Sequence, residues 1–403
     1  MLPTARTRTS QMSSTAPVAD VRAISRAAAP ISQAGELRSS RIESLRAVAA
    51  LGVLVGHTFA IARAYHGTYN GLRNQLISGG LLAVFLFFTL SGYLLYWPFA
   101  SHAFGEGIRI DLVRYVRNRA LRILPLYYVV LAVLLAFDPF NAHRSDWWRF
   151  ALFIESYAPR TVERLDSAMW SLSVEVQFYI LLPFLAAAIA WLARRSAPRA
   201  IAIVLILAAA SFALRLRDVI LPAGTTFSAL SGPLSLPTLF YFFATGMLIA
   251  LLRASWQRRP PSRPRGVFAS PDAWILLAVA LWCLAAVDPK REPLIAASCF
   301  LIVAGCVLAP APGVLVKVLD WRPLAAVGLA SYSLYLWHVP LLVLLSGARF
   351  VFPPGELGRD LSPPQSFGLL LLTAVPVCLA AAFGSYALIE VPFLRLRRRW
   401  FPR

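Results

Sequence analysis

The chain has 403 residues, of which 58% are hydrophobic and 14% are charged, and its mean hydropathy is +0.65. So apolar a composition excludes a soluble protein of this length, because soluble domains could not bury that much apolar surface. The formal charge of +20 would suit a nucleic-acid-binding protein, but most of the basic residues lie in alternate loops between apolar stretches. That placement is typical of membrane orientation, so no nucleic-acid partner is predicted.

Ten apolar stretches, each close to the length that crosses a bilayer, predict ten transmembrane helices. The predicted spans are 46–64, 76–97, 122–138, 168–193, 200–216, 236–252, 272–288, 293–309, 326–346 and 367–389. Ten crossings with both ends inside place most Lys and Arg residues in cytoplasmic loops. We therefore predict an all-α fold, a polytopic membrane helix bundle of about ten transmembrane helices with the N and C termini cytoplasmic.

The predicted organisation has three parts. Residues 1–40 are rich in Ala, Ser, Thr and Arg and contain no apolar signal-peptide core, which indicates a disordered cytoplasmic tail. Residues 41–392 form the transmembrane domain, and residues 393–403 form a basic cytoplasmic tail. The four cysteines all fall in predicted spans without a Cys-x-x-Cys motif or a His partner at a metal-binding spacing, so neither a disulfide framework nor a metal site is expected.

The first predicted span carries Arg46 and, eleven residues later, His57. At about 100° per residue the two side chains fall within about 20° of one helix face, and they stand about 16 Å apart along the axis. A cation at the membrane surface and an imidazole near the midplane therefore share one side of the helix. Ionisable groups at such depth usually face a bundle interior or a water-filled path, which favours chemistry or transport. A helix-end anchor and a hydrogen-bonded core histidine are the alternative.

Two further motifs follow in the next spans. Ser91 and Gly92 would allow close approach of a neighbouring helix or of a ligand. Arg119 and Arg122 belong to a cluster of arginines just before Pro125. Such a cluster at a helix start suits phosphate groups, although anchoring to lipid headgroups would use the same residues.

The fourth predicted span places Glu175 about five residues inside the extracytoplasmic boundary, one turn before Tyr179. A carboxylate at that depth needs a partner. Three roles are open for it: orienting His57, binding a hydroxyl substrate, or pairing with an arginine for structural reasons.

The ninth predicted span contains Tyr332 and His338, with His338 near the middle of the membrane. Aromatic residues there can simply pack, but a second midplane histidine favours a polar cavity. Glu390 follows the tenth span and is expected to pair with the basic cluster at 395–399.

In this order the motifs resemble the acyltransferase 3 family of multispanning membrane O-acyltransferases. The matching residues are Arg46 with His57, Phe87 to Leu94, Arg119-x-x-Arg122-Ile-x-Pro125-x-Tyr127, Trp170 to Tyr179, Ser331 to His338, and Glu390-x-Pro392. The resemblance implies a helix bundle, an acyl-coenzyme A donor (acetyl-coenzyme A being the commonest) taken from the cytoplasm, and transfer to a hydroxyl of a sugar in a surface polysaccharide or glycosylated metabolite. Many members of the family carry an extra helix and a C-terminal esterase-like domain.

The expected roles of the site residues follow from the chemistry of a thioester donor. The coenzyme A phosphates would be bound by guanidinium groups, and an imidazole would act either as general base or as a relay that accepts the acyl group. The assigned roles are catalytic for His57 and Glu175, donor-binding for Arg46, Arg119 and Arg122, and acceptor or cavity lining for Ser91, Tyr179, Tyr332 and His338. No bound cofactor or metal is expected, since acyl-coenzyme A is a co-substrate.

The expected location is the cytoplasmic (inner) membrane of a bacterium, where membrane lipid and a carbohydrate acceptor would be the partners. The rival hypothesis is a proton-coupled transporter or exporter of an organic anion, in which the buried His and Glu relay protons.

Overall fold

The computed structural model describes residues 40–66, 72–105, 110–137, 146–158, 161, 165–220, 234–258, 270–287, 292–308, 313–348 and 363–399. The predicted N-terminal tail up to residue 39 and the last residues of the predicted C-terminal tail, 400–403, lie outside them. The earlier part of that C-terminal segment belongs to a helix that ends at Arg399.

Within this part of the chain every regular element is helical. In chain order the α-helices are α1 (Ser40–His66), α2 (Leu72–Ser78), α3 (Val84–Phe104), α4 (Leu112–Phe137), α5 (Trp147–Ala151), α6 (Met169–Leu192), α7 (Ala197–Ile220), α8 (Leu236–Arg258), α9 (Pro271–Val287), α10 (Glu292–Val307), α11 (Val314–Val318), α12 (Arg322–Leu329), α13 (Ser331–Val343), α14 (Pro363–Ser385) and α15 (Val391–Arg399). Turns of 3₁₀-helix cover Gly79–Ala83 and Glu155–Tyr157, and π-helical turns cover Leu344–Ala348 and Tyr386–Glu390.

The described residues of each of the ten predicted spans are almost all helical, although 76–97 and 326–346 each cover more than one helical element, and the all-helical fold is confirmed. Among the described residues, seven helices are long and apolar enough to cross a membrane, and an eighth is added if the bent pair α12 and α13 is one span. Helices α9 and α10 have only 17 and 16 residues, about 25 Å at 1.5 Å per residue, which is short of a hydrocarbon core about 30 Å thick. The count of ten is therefore not confirmed, and the sidedness of the termini remains a prediction.

Glycine allows α3 and α8 to cross with their backbones in contact. A Cβ on Gly92 would lie 2.1 Å from the carbonyl oxygen of Phe243, and one on Gly246 would lie 2.0 Å from that of Thr89. The Thr89 hydroxyl also donates to the carbonyl of Phe242 across the crossing, at 3.1 Å. Small residues that permit this approach are typical of membrane helix pairs. Of the two interpretations of Gly92, close approach of a neighbouring helix or of a ligand, the structure shows close approach of a helix.

Helix α1 packs against α12, α13, α14 and the 3₁₀ turn Gly79–Ala83. A Cβ on Gly328 of α12 would lie 1.8 Å from the carbonyl oxygen of Glu43, so these two backbones also touch. The Ser44 hydroxyl donates to the carbonyl of Leu319 at 2.5 Å. These contacts bring Arg46 beside the first residue of α13.

Candidate active site

A narrow cavity of about 70 Å³ lies between α1, α3, α4, α6 and α13. It has room for roughly five water molecules. The α3 residues that line it run from Val84 to Leu95, which corresponds to about 16 Å along the helix axis. Its polar lining consists of Arg46, Ser91, Arg119, Arg122, Ser171, Glu175, Tyr179, Ser331, Tyr332 and Tyr335. Seven of the nine predicted site residues thus share one cavity, and His57 and His338 are not among its lining.

Glu175 is bound by two hydroxyl groups in the cavity wall. The hydroxyls of Ser91 on α3 and of Tyr179 on α6 both donate to the same oxygen, Oε1. Tyr179 lies one helical turn after Glu175, so α6 presents the acceptor and one of its donors on the same face. Among the described residues no contact joins Glu175 to His57, and binding of a substrate hydroxyl by Glu175 stays a prediction.

The guanidinium groups of Arg46 and Arg119 have few protein acceptors. Arg46 Nε donates to Ser331 Oγ at 3.2 Å and lies 3.9 Å from a carboxylate oxygen of Glu43. The guanidinium of Arg119 lies 5.8 Å from the centre of the Tyr179 ring, a cation–π contact. Its Nε is buried and has no hydrogen-bond acceptor among the residues that the structure describes. Three guanidiniums and one carboxylate, that of Glu175, line the cavity, and the carboxylate of Glu43 lies beside Arg46 without lining the cavity.

Glu390 joins the same region from the end of the chain. It accepts a hydrogen bond at 2.6 Å from Ser333 of α13, is buried, and lies within electrostatic reach of Arg122 and Arg46. Sequence reasoning assigned it instead to the basic cluster at 395–399. The sequence feature that could have indicated this position is the run of apolar residues before and after Glu390, because a carboxylate inside such a segment turns toward buried partners.

His57 and His338, the two histidines expected near the middle of the membrane, contact each other. His57 Nδ1 lies 3.2 Å from His338 Nε2, and the ring centres are 4.9 Å apart in an edge-to-face arrangement. His338 is 1% exposed, whereas His57 is half-buried. Neither histidine lines the cavity, so the expectation that they face a polar cavity stays a prediction.

Tyr335 connects the cavity with the histidine pair. It lines the cavity, and its ring centre lies 5.5 Å from that of His338 and 5.8 Å from that of Phe87. Its hydroxyl is hydrogen-bonded to Ser171 Oγ at 2.5 Å and donates to the carbonyl of Ala168 at 3.1 Å. Sequence reasoning did not assign a role to Tyr335 or Ser171, although both lie in quoted motifs. The sequence of an apolar helix does not indicate which residues of other helices its aromatic and hydroxyl side chains will contact.

Two fully buried carboxyl groups, Glu155 and Asp166, lie in the segment before α6. Asp166 Oδ1 accepts from the backbone N–H of Ala168 at 2.8 Å, and Glu155 accepts from the hydroxyl of Ser173. The second oxygen of each carboxyl is buried and has no partner among the described residues. Burial raises the pKa of Asp166 and the pKa of Glu155 to about 7 each. Both groups favour the neutral, protonated form because it leaves no unpaired buried charge. Neither residue was singled out from the sequence.

Comparison with known proteins places this arrangement in a family. Residues 39–383 match the acyltransferase domain of the acyltransferase 3 family. The protein named "Putative peptidoglycan O-acetyltransferase YrhL" of Bacillus subtilis is 27% identical over 90% of this chain and 56% of its own length. O-acetyltransferase OatA of Staphylococcus aureus is 26% identical over 89% of this chain and 57% of its own, and peptidoglycan O-acetyltransferase OatA of Listeria monocytogenes is 25% identical over 87% and 55%.

The chain therefore spans little more than half the length of the curated relatives it matches. No solved structure matches it. Because the family match covers most of the chain and the helices have the length and composition of membrane spans, this is an integral membrane protein that belongs to the acyltransferase 3 family.

Proposed function

We propose that this protein is an O-acetyltransferase that moves an acetyl group from cytoplasmic acetyl-coenzyme A to a sugar hydroxyl of a cell-envelope glycan. The observation that carries the proposal is the cavity that Arg46, Arg119 and Arg122 line together with the hydroxyl-bound Glu175, near the contacting pair His57 and His338. Family membership supports the reaction type, and the names of the relatives support a peptidoglycan-type acceptor.

The proposed donor site rests on the three guanidinium groups that line the cavity. Coenzyme A carries several phosphates, and guanidinium groups bind phosphate oxygens through charge-assisted hydrogen bonds. The unpartnered Nε of Arg119 is a donor that such an oxygen would satisfy. The nucleotide would remain at the cytoplasmic mouth while the pantetheine arm brings the thioester inward. An acetyl group, the smallest common acyl group, is the one that this small cavity suits best.

The chemical step needs a base more than it needs an activated carbonyl, since a thioester is already reactive. The acceptor hydroxyl oxygen attacks the thioester carbonyl carbon, and its proton passes to His57. The C–S bond then breaks, the thiolate of coenzyme A takes the proton back from the imidazolium, and an ester and free coenzyme A remain. A positioned general base of this kind contributes about 10²–10⁴ in rate.

Tyr335 is the side chain through which the cavity and the histidine pair are adjacent. It lines the cavity, and its ring also contacts that of His338. The proposed route from the thioester to His57 therefore runs past Tyr335, whose hydroxyl is bound to Ser171 and to the carbonyl of Ala168.

The decisive experiment uses purified full-length protein in lipid vesicles supplied with acetyl-coenzyme A and a soluble peptidoglycan fragment. We expect release of the coenzyme A thiol together with an acetyl mass increment on the glycan. His57→Ala should abolish both, whereas the matched control His102→Ala, at an exposed position near the end of α3, should retain both. Normal turnover by His57→Ala would contradict the proposal, and glycan or anion movement without thiol release would identify a carrier.

A further inference from the structure

The hydrogen bonds around the histidine pair determine where its protons lie. His338 Nδ1 is 2.6 Å from the carbonyl oxygen of Tyr335, one turn earlier in α13. A carbonyl oxygen only accepts hydrogen bonds, so His338 Nδ1 must carry a hydrogen. In a neutral imidazole the other nitrogen then has a lone pair and no hydrogen. His338 Nε2 is therefore an acceptor, and it points at His57.

The proton on His57 follows from the same reasoning. His57 Nδ1 lies 3.1 Å from the carbonyl oxygen of Val53 and 3.2 Å from His338 Nε2. Both neighbours accept, so His57 Nδ1 is the donor to both in a shared hydrogen bond. Neutral His57 then keeps its lone pair on Nε2, the nitrogen that faces away from these two partners.

We infer that His338 is a positioning residue that holds His57 in the Nδ1–H form and leaves Nε2 as the nitrogen that receives the acceptor proton. The inference rests on the proposed function for its chemistry, and on the two rings and two carbonyls for its geometry. When Nε2 takes the proton, Nδ1 still donates to His338, so the imidazolium keeps a hydrogen-bond partner in a buried setting. This role differs from acceptor-side lining, the assignment made from the sequence.

The opposite arrangement is disfavoured by one short distance. If His338 donated from Nε2 and remained neutral, its Nδ1 lone pair would face the Tyr335 carbonyl at 2.6 Å. Two acceptors at that separation repel, and His338 Nδ1 would lack this hydrogen bond inside the bundle, where His338 is 1% exposed.

The first test reads the tautomer directly and does not depend on turnover. Full-length protein with ¹⁵N-labelled histidine is placed in lipid nanodiscs and examined by ¹⁵N NMR. The chain has five histidines, and the His57 signals are assigned by their loss in His57→Gln. We expect neutral His57 to show a protonated Nδ1 and an unprotonated Nε2. A protonated Nε2 on neutral His57 would overturn the inference, whether or not the protein transfers acetyl groups.

The second test compares two amides at position 338. In His338→Gln the side chain is long enough to put its carbonyl oxygen near the position of Nε2, where it can accept from His57. In His338→Asn the shorter side chain reaches only the Tyr335 carbonyl. We expect His338→Gln to keep kcat within about tenfold of the parent, and His338→Asn to lower it about 10²-fold or more with KM for acetyl-coenzyme A unchanged.

The outcomes separate the two proposals. Equal losses in the Gln and Asn variants, with both proteins monodisperse and inserted, would overturn the positioning role while leaving acetyl transfer intact. Absence of thiol release by the parent protein would overturn the proposed function, and the NMR result would still decide the arrangement of the pair. If either variant fails to insert, the parent spectrum alone decides.

Discussion

Asp166 provides a stability test that combines burial with pH. Its carboxyl receives the N–H of Ala168 at the start of α6, the helix that carries Ser171, Glu175 and Tyr179 into the cavity. Burial raises the pKa of Asp166 from 3.8 to about 7 in the folded protein. The folded state therefore binds a proton more tightly than the unfolded state, and the stability that this proton contributes is lost as pH rises toward the folded pKa.

The size of the effect follows from linkage. At pH 5 the folded carboxyl is protonated, whereas its unfolded counterpart is mostly ionised; at pH 8 both are ionised, and the folded one remains in its buried site. Between these two pH values the free energy of unfolding falls by about 3 kcal/mol on account of Asp166. Glu155, whose pKa burial also raises to about 7, adds a second loss of about the same size.

Asp166→Asn separates the charge from the shape. Asparagine keeps an oxygen for the Ala168 N–H and cannot ionise, so we expect the loss of stability between pH 5 and pH 8 to shrink by about 3 kcal/mol and the variant to be more stable than the parent at pH 8. In the double variant Asp166→Asn with Glu155→Gln the loss should shrink by about twice as much. Unfolding by SDS titration in mixed micelles at pH 5, 6, 7 and 8, followed by tryptophan fluorescence, measures these values. A pH dependence in Asp166→Asn equal to that of the parent would refute the reasoning.

Three further variants test the cavity and the helix crossing. Arg46→Lys keeps the charge but loses the planar donor, so KM for acetyl-coenzyme A should rise about tenfold in the thiol-release assay with little change in insertion. Tyr179→Phe removes a hydroxyl that donates a hydrogen bond to the Glu175 carboxylate. Because such a bond is worth about 1.5–3 kcal/mol, we expect kcat to fall about 10- to 100-fold. An unchanged kcat would show that this hydrogen bond has no part in the mechanism. Gly246→Ala puts a methyl group against a backbone carbonyl of α3 and should destabilise the folded protein by about 1–3 kcal/mol or more. The control Gly384→Ala, where nothing lies within 4 Å, should leave the stability unchanged. Equal stabilities of the two variants in SDS titration would contradict the close crossing.

The sequence by itself determined which segments are helical and identified several of the polar residues that gather inside the bundle. Apolar length fixes the helices, because backbone groups in lipid must bond within their own segment. Unpaired ionisable side chains are costly in lipid, which favoured an inward position for Arg46, Arg119, Arg122 and Glu175, and all four line one cavity.

Only the tertiary structure decided which of these groups meet. His57 and His338 stand 281 positions apart and Ser333 and Glu390 stand 57 apart, and helix periodicity carries no information about such contacts. Apolar runs also do not reveal that α9 and α10 are short or that α12 and α13 bend by 71°, since these depend on packing rather than on composition. Partner choice and helix geometry arise from shape complementarity between distant segments, as where α3 and α8 approach through Gly92 and Gly246. For that reason the amino-acid sequence predicts that the bundle has a polar interior, whereas the tertiary structure shows which of its polar groups contact each other.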